Sequence, residues 1–172
     1  MNSELKSMIQ ESNNIVFFGG AGVSTESNIP DFRSANGIFS VELGPDFRSA
    51  EGIYKGDYYI SPETILSHDF FFENPKEFYK FYKEKLLYPD AKPNKAHTAL
   101  AKLEKEGKLS AVITQNIDCL HEQAGSKNVL KLHGTIDKNI CLKCHKRYGL
   151  DTVLNADCMP YCDCGGVIKP EV

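Results

Sequence analysis

"AVITQNIDCLHEQAG", residues 111–125, is the stretch on which the predicted fold depends. The apolar run "AVI" predicts a strand, and Gln115, Asn116 and Asp118 follow it with side chains that form hydrogen bonds. The segment "DCLHEQAG" then predicts a short helix that ends at Gly125. A polar loop between a strand and a helix is typical of the ligand-binding edge of an α/β sheet. Capping of the helix is the alternative role for the same polar side chains.

Strands and helices alternate along the rest of the chain. "NIVFFGGAG" predicts a buried strand, Ile15 to Phe18, that ends in a glycine turn, and "LSAVIT" and "NVLKLHG" predict two more strands. Helices are predicted over residues 3–12, from Ser61-Pro62, from Asn74-Pro75 through "KEFYKFYKEKLL", and over "NKAHTALAKLEKEG" with Gly107 past its end. This order predicts an α/β fold with a parallel sheet.

Three loops follow the predicted strands, after Phe18, Ile113 and Leu132. Because the carboxyl ends of parallel strands meet at one edge of the sheet, these loops are expected to converge on one crevice.

Two helices have apolar faces that are expected to pack in the core. The helix in "KEFYKFYKEKLL" has Phe78, Phe81, Tyr82 and Leu86 on one face. The helix in "NKAHTALAKLEKEG" has Ala96, Ala99, Leu100 and Leu103 on one face.

Composition narrows the class of protein. The chain has 172 residues and a formal net charge of −3, and it has no long run of lysine and arginine. Composition therefore gives no support for a nucleic-acid partner.

The opening "MNSELKSMIQESNN" has no apolar signal core, and no apolar stretch is long enough to cross a bilayer. We expect a cytoplasmic protein with no membrane partner.

Five of the six cysteines follow residue 140, which favours a metal site over disulfides in a chain without a secretory signal. The predicted ligands form a C-x-x-C and a C-x-C pair: Cys141, Cys144, Cys162 and Cys164. Their spacing suits a zinc ribbon in which four thiolates hold a structural metal. Cys158 and His145 compete for a ligand position, and Cys119 is expected to be an ordinary buried thiol.

The glycine turn after the first strand is a candidate phosphate site. Small residues at positions 19–22 let a ligand approach the backbone, and amides in such a turn can bind phosphate oxygens. A tight structural turn is the alternative. Arg33 in "PDFR" could pair with a phosphate or a carboxylate, or could be a solvated surface arginine.

His133 in "KLHGT" is a candidate general base. It lies at the end of a predicted strand, just before a glycine, and faces the expected crevice. An imidazole titrates close enough to neutrality for this role. A polar residue with a satisfied hydrogen bond is the alternative.

The segment "PDFRSANGIF", residues 30–39, recurs as "PDFRSAEGIY", residues 45–54, with eight of ten positions identical. A local duplication is the simplest explanation, and only one copy can occupy a single site.

Together, "GAGVSTESNIPDFRS", "TQNID", "LHG" and the paired cysteines resemble the sirtuin family of NAD-dependent protein lysine deacylases, and most closely its bacterial members. The resemblance runs from about residue 4 to the end of the chain. It implies a Rossmann-like NAD-binding part at residues 1–136 with a helical insertion at about 37–95. It further implies a zinc-ribbon module at 137–168 and the start of a return to the first part at 169–172.

The resemblance also implies roles for single residues. His133 matches the general base, and the paired cysteines match the zinc ligands. The residues implied to bind NAD are Gly20, Ala21, Gly22, Thr25, Asp31, Phe32, Arg33, Gln115, Asn116, Ile117 and Asp118. The implied reaction transfers acetyl from the acetyl-lysine of a protein or peptide to ADP-ribose and releases nicotinamide. The implied cofactors are NAD and Zn.

Three departures from the family pattern shape these expectations. Asn28 stands where the family usually has glycine, and asparagine is expected to tolerate a positive φ at this position. The repeat lengthens the loop, and Phe47 and Arg48 of its second copy rival Phe32 and Arg33 of the first, which keeps the family spacing.

The third departure is that the sequence stops at "GGVIKPEV". The strand for the substrate peptide and the loops for adenosine are then expected to be missing, a sheet edge exposed and activity impaired. The alternatives are a non-catalytic zinc-ribbon binding module and a sirtuin-like ADP-ribosyl transferase.

Overall fold

A computed structural model describes residues 3–32, 34, 37–38 and 60–172. Arg33 lies outside the described residues, and so does the second copy of the repeat with Phe47 and Arg48. The assignment of these residues to a site therefore stays a prediction.

The helices and strands follow the predicted alternation. The described α-helices are α1 (Ser3–Glu11), α2 (Pro62–Ile65), α3 (His68–Glu73), α4 (Pro75–Lys85), α5 (Lys95–Lys105), α6 (Leu120–Gln123) and α7 (Leu150–Leu154). The strands are β1 (Ile15–Gly19), β2 (Leu109–Thr114), β3 (Val129–Lys131), β4 (Thr135–Cys141), β5 (Arg147–Tyr148) and β6 (Ile168–Glu171). Two short 3₁₀ turns, Ala21–Val23 and Thr25–Ser27, follow β1.

The chain forms two compact units. The first contains residues 1–29, 90–135 and 172, and the second contains residues 30–89 and 136–171. The domain limits predicted from the sequence resemblance stay a prediction.

The first unit is built on a sheet of order β1-β2-β3 in which both pairs are parallel. Gly19 lies opposite Thr114, and Thr114 lies opposite Lys131. The predicted parallel sheet is therefore confirmed, and its three strands end at one edge. Val112 and Thr114 of the central strand are buried, as expected for β-branched side chains on a covered face.

Helix α5 is fixed to the glycine turn by Asn94 at its N-cap. The Asn94 Oδ1 atom accepts hydrogen bonds from the backbone of Ala96 (2.9 Å) and His97 (3.4 Å). The Asn94 Nδ2 atom donates to the Val23 carbonyl (2.7 Å) and to the Ser27 hydroxyl (3.0 Å). The Asn94 side chain thus caps the N-terminus of α5 and also anchors the turn after β1.

The predicted apolar face of α5 is partly wrong. Ala96 and Ala99 are exposed, whereas His97 is fully buried. The capping contact explains the difference, because the Asn94 amide donates to the Nδ1 atom of His97 and draws this ring inward. A small apolar side chain can face solvent at little cost, so two alanines are a weak indicator of a buried face.

The predicted third strand is shorter than the sequence pattern "NVLKLHG" suggests. Strand β3 ends at Lys131, and the following residues turn at the sheet edge. Gly134 has a φ of 76°, which glycine adopts without strain and which redirects the chain into β4.

The second unit has an aromatic core around α4. Phe78, Phe81 and Tyr82 are buried, which confirms the core role predicted for them, whereas Leu86 of the same predicted stripe is only half-buried. Tyr79, which was not part of the predicted stripe, is fully buried as well. The Tyr79 hydroxyl donates to the Ile168 carbonyl in a second sheet of order β5-β4-β6. Among the described residues, no helix is long and apolar enough to cross a membrane.

Replacing Asn94 tests how strongly the α5 cap stabilises the first unit. Asn94→Ala removes the cap and two hydrogen bonds to the glycine turn, so the free energy of unfolding should fall by about 2 kcal/mol. Asn94→Ser keeps a capping oxygen and should lose about half as much. Chemical denaturation measures both changes. Asn13→Ala, at an exposed position, is the control, and an equal effect of all three substitutions would contradict this role.

Candidate functional site

Three turns meet where the parallel strands end. The Gln115 amide donates to the Gly19 carbonyl (3.0 Å), and the Leu132 amide donates to the Thr114 carbonyl (2.9 Å). The His133 Nδ1 atom lies 3.1 Å from the Gln115 carbonyl oxygen. The turns after β1, β2 and β3 are thus linked by hydrogen bonds, as the topology of the predicted sheet requires.

The His133 ring is held by a hydrogen bond to the loop after β2. A carbonyl oxygen can only accept, so the Nδ1 atom donates to Gln115 and carries the ring proton. In the neutral form of this ring, the Nε2 atom is the nitrogen that can accept a proton. The His133 side chain is exposed.

Gly20 and Gln115 approach each other closely. A Cβ atom at Gly20 would lie 3.1 Å from the Oε1 atom of Gln115, so a larger residue would displace the glutamine side chain. A Cβ atom at Gly22 would meet nothing within 4 Å. Contact with Gln115 therefore favours glycine at position 20, and no contact within the described structure requires glycine at position 22. The predicted approach of a ligand to this turn stays a prediction.

A partly buried hydrogen-bond network connects the segment after the glycine turn with the loop after β2. The Ser24 hydroxyl is fully buried and donates to the Oδ2 atom of Asp118 (2.6 Å). The Ser24 Oγ atom in turn accepts a hydrogen bond from the Asn116 Nδ2 atom (3.0 Å). Asn116 and Asp118 were predicted site residues, whereas Ser24 was missed. The sequence feature that could have indicated Ser24 is a small hydroxyl residue directly after the glycine turn and next to Thr25.

Asp118 has a second role, which is the helix cap considered for this loop. Its Oδ1 atom accepts a hydrogen bond from the Leu120 amide (3.0 Å) at the start of α6. The capping interpretation is therefore confirmed for Asp118, and its role in binding a ligand stays a prediction. Asn28 has a φ of 63°, which confirms that asparagine tolerates the left-handed region here.

The remaining predicted cofactor residues fall in both units. In the first unit, Ala21 and Ile117 are half-buried, and the exposed Thr25 donates its hydroxyl to the Gly22 carbonyl (3.0 Å). In the second unit, the Asp31 Oδ1 atom accepts from the Ser34 amide (2.9 Å), and Phe32 is exposed. A common site for Asp31, Phe32 and the sheet edge stays a prediction.

Two fully buried histidines lie behind the loop after β2. The rings of His97 and His121 are 4.7 Å apart between centroids, and burial lowers the pKa of both imidazoles while Asp118 opposes the shift. Both rings are therefore neutral at neutral pH and can pack in the core. Isolated histidines in helical patterns gave no sequence signal for this pairing.

In the second unit, the four predicted metal ligands come together. The sulfur atoms of Cys141, Cys144, Cys162 and Cys164 all lie within 4.8 Å of one another. This arrangement is compatible with a zinc ribbon in which four thiolates surround the metal. Cys158 and His145 are exposed and lie outside the group, so neither replaces one of its members.

Hydrogen bonds favour the thiolate at Cys141 and Cys162. At Cys164 a backbone hydrogen bond from Gly166 lowers the pKa, but hydrogen bonds with the neighbouring thiols outweigh it and raise the pKa to about 12. A backbone hydrogen bond from Cys164 and the Tyr148 hydroxyl, 2.9 Å from the sulfur, lower the pKa of Cys162 to about 6. The amides of Lys143 and Cys144 each lie 3.4 Å from the Cys141 sulfur. A Cβ atom at Gly166 would lie 2.6 Å from this sulfur, so glycine is required beside the cluster. Thiolates are the form that binds zinc.

Substitution of single thiols tests the metal centre. Cys144→Ser removes one of four ligands and should reduce bound zinc well below the level of about one ion per chain expected for a closed four-thiolate site. Cys158→Ser changes another exposed thiol and should leave the zinc content unchanged. Elemental analysis of the purified proteins measures zinc per chain. Equal zinc loss in both variants would contradict the assignment.

Comparison with known proteins identifies relatives that match nearly the whole chain. The Sir2 family matches residues 39–172. An NAD-dependent protein deacetylase of Clostridium perfringens is 54% identical over 171 residues, which cover 99% of this chain and 65% of that protein. The corresponding protein of Clostridium tetani is 55% identical over 170 residues, which cover 98% of this chain and 64% of that protein. The chain thus spans about two thirds of the length of these relatives.

Solved structures give the same result. A structure described as Sir2 with a p53 peptide and NAD+ has a TM-score of 0.75 and 39% identity, and the match covers 99% of this chain and 62% of that chain. A structure of Sir2 bound to acetylated peptide has a TM-score of 0.74 at 37% identity, covering 99% of this chain and 63% of that chain. The predicted Rossmann-like fold is confirmed by this similarity, and the chain belongs to the Sir2 family.

Proposed function

We propose that this chain carries the catalytic centre of an NAD-dependent protein lysine deacetylase. The observation that carries the proposal is the hydrogen bond between His133 and the Gln115 carbonyl, at the edge where Gly20 approaches Gln115. These residues come from three separate turns, and each was a predicted member of one site. Relatives named NAD-dependent protein deacetylase support the same reaction.

The residues present fit the nicotinamide half of NAD. The buried contacts of Ser24 with Asn116 and Asp118 fix the loop after β2 against the glycine turn. A polar loop held in this way can orient a ribose and a carboxamide without reorganising when the ligand binds. When bound, NAD would supply the ADP-ribosyl group that accepts the acetyl group and would release nicotinamide.

His133 would be the general base. Its Nδ1–H donates to Gln115, which holds the ring in one tautomer and leaves the Nε2 atom to accept a proton from a ribose hydroxyl. Gln115 would therefore position the base through its backbone while its side chain borders Gly20. The acyl acceptor is activated only when this nitrogen is unprotonated.

Zinc would have a structural role in the second unit. The donor set is four thiols, which leaves no open coordination position for a water or a substrate. The metal would therefore stabilise this unit and take no part in acetyl transfer. An acetylated protein or peptide is the proposed partner, in accordance with the acetylated peptide bound to a related structure. The cytoplasmic location and the lack of nucleic-acid or membrane partners remain predictions.

The proposal is tested by nicotinamide release from NAD in the presence of an acetyl-lysine peptide. The zinc-loaded chain should release nicotinamide and deacetylate the peptide in equal amounts. Nicotinamide release with ADP-ribose transferred to protein, and without deacetylation, would indicate an ADP-ribosyl transferase. No release above the enzyme-free blank would contradict the proposed function.

Replacing His133 separates catalysis from binding. His133→Ala removes the base, so deacetylation should fall by about 100-fold or more. Binding of NAD, measured by calorimetry, should change by less than about threefold, because the imidazole acts on a proton and is not needed to hold the dinucleotide. His68→Ala, an exposed histidine of the second unit, is the control. Unchanged deacetylation in His133→Ala would contradict the role of the base.

Replacing Asp118 tests the loop that would hold the ribose. Asp118→Asn has the same shape but loses one acceptor, so either the Ser24 hydroxyl or the Leu120 amide loses its carboxylate partner. The dissociation constant for NAD should rise by about tenfold, as expected when a charge-assisted buried hydrogen bond is lost. Calorimetric titration with NAD measures the change. The exposed Asp69→Asn should bind as the wild type does, and equal affinities for all three proteins would contradict this role.

A further inference from the structure

Cys119 differs from the ordinary buried thiol that the sequence predicts. It is only partly buried, and its sulfur lies 3.1 Å from the Nζ atom of Lys131 and 3.1 Å from the Oγ1 atom of Thr135. Glu122 is the fourth member of this group, with its Oε1 atom 2.8 Å from Lys131 Nζ. A nucleophile, a cation and a carboxylate therefore share one location beside the loop after β2.

The Lys131 ammonium is largely shielded from solvent. Its side chain is 14% exposed, and its nitrogen contacts Cys119, Thr135 (2.8 Å) and Glu122. An ammonium has three N–H donors and no acceptor, so these three contacts use all of them. Burial lowers the pKa of Lys131, but hydrogen bonds to Glu122 and Cys119 outweigh this effect and raise the net pKa above its ordinary value. The group is therefore a permanent cation at neutral pH.

The direction of these hydrogen bonds makes the Cys119 sulfur an acceptor. The Lys131 ammonium can only donate, so the sulfur accepts its hydrogen bond. The sulfur also shares a hydrogen bond with the Thr135 hydroxyl and lies 3.8 Å from the Ile117 carbonyl oxygen, to which a protonated thiol can donate. The neighbouring ammonium stabilises a thiolate, which is the reactive form of cysteine.

We propose that Cys119 is a redox-modification site that takes a low-molecular-weight disulfide. The Cys119 thiolate attacks one sulfur of the disulfide, a new S–S bond forms, and the other half of the reagent leaves as a thiolate. Cys119 is oxidised, the departing half is reduced, and a free thiol reverses the step. The site lies between Asp118 and Leu120, so the added group sits in the loop that carries the proposed ribose contacts.

The charges around the sulfur set the expected pH dependence. Lys131 on β3 favours the thiolate, whereas Glu122 on α6 opposes it, and Asp118 precedes the cysteine in the chain. Thr135 carries no charge. Removal of the cation and removal of the carboxylate should therefore shift the reactivity of Cys119 in opposite directions along the pH scale.

The test is reaction of the zinc-loaded chain with oxidised glutathione between pH 6 and pH 9. Mass spectrometry follows the tryptic peptide of residues 109–127, in which Cys119 is the only cysteine, and compares it with exposed Cys158. Cys119 should form the mixed disulfide severalfold faster than Cys158 at neutral pH. The mass gain at Cys119 should be reversed by a free thiol. It should be equal in the presence and in the absence of NAD, because the reaction needs no cofactor.

Three variants decide whether the neighbouring charges cause this reactivity. Lys131→Met should raise the pH midpoint of Cys119 modification by about one unit, and Glu122→Gln should lower it. Lys131→Arg keeps the charge and should retain most of the reactivity. Lys127→Met, a matched change at an exposed lysine, should have no effect.

The proposal is overturned if the midpoint is the same in wild type, Lys131→Met and Glu122→Gln. It is also overturned if Cys119 stays unmodified while Cys158 reacts. Should Lys131→Met fail to fold, Glu122→Gln decides, because this change leaves the buried lysine in place and predicts a shift of the opposite sign.

Discussion

The backbone and side chain of Gln115 link all three turns at the edge of the parallel sheet. Its amide donates to the end of β1, its carbonyl accepts from His133 after β3, and its side chain lies against Gly20. These contacts require β2 to lie between two parallel neighbours in one register. A shift of one residue would move Gln115 to the opposite face of the sheet and separate the turns. The candidate site therefore depends on strand register before it depends on any side chain.

Buried polar groups then fix the turns to each other. Ser24 joins Asn116 and Asp118, while Asn94 joins helix α5 to the same glycine turn. In a low-dielectric interior each of these groups is costly to leave unpaired, so the network favours one arrangement of the loops. The predicted zinc ligands form a separate group in the second unit, where hydrogen bonds favour the thiolate at Cys162. Metal binding and the proposed chemistry thus rest on different physical interactions.

The sequence predicts the parts of this protein that depend on local pattern. Alternating strands and helices predicted the parallel sheet, and cysteine spacing predicted the sulfur cluster. Side-chain partners from distant segments could not be predicted in this way. Ser24 was missed because its partners lie more than 90 residues away, and the inward face of α5 was misassigned because the Asn94 cap draws His97 into the core. Cys119 was called an ordinary thiol because Lys131 is near it only after the strands pair.

The central claim is that His133 is held by the Gln115 carbonyl beside the turn that contains Gly20. Long-range ¹H–¹⁵N NMR of the histidine side chains tests it most directly, because the two ring nitrogens of each tautomer have distinct shifts. The account predicts the Nδ1–H tautomer for His133 and a change in its Nε2 shift when NAD is added, together with changes at the Gly20 and Gln115 amides. An Nε2–H tautomer that does not respond to NAD would contradict it.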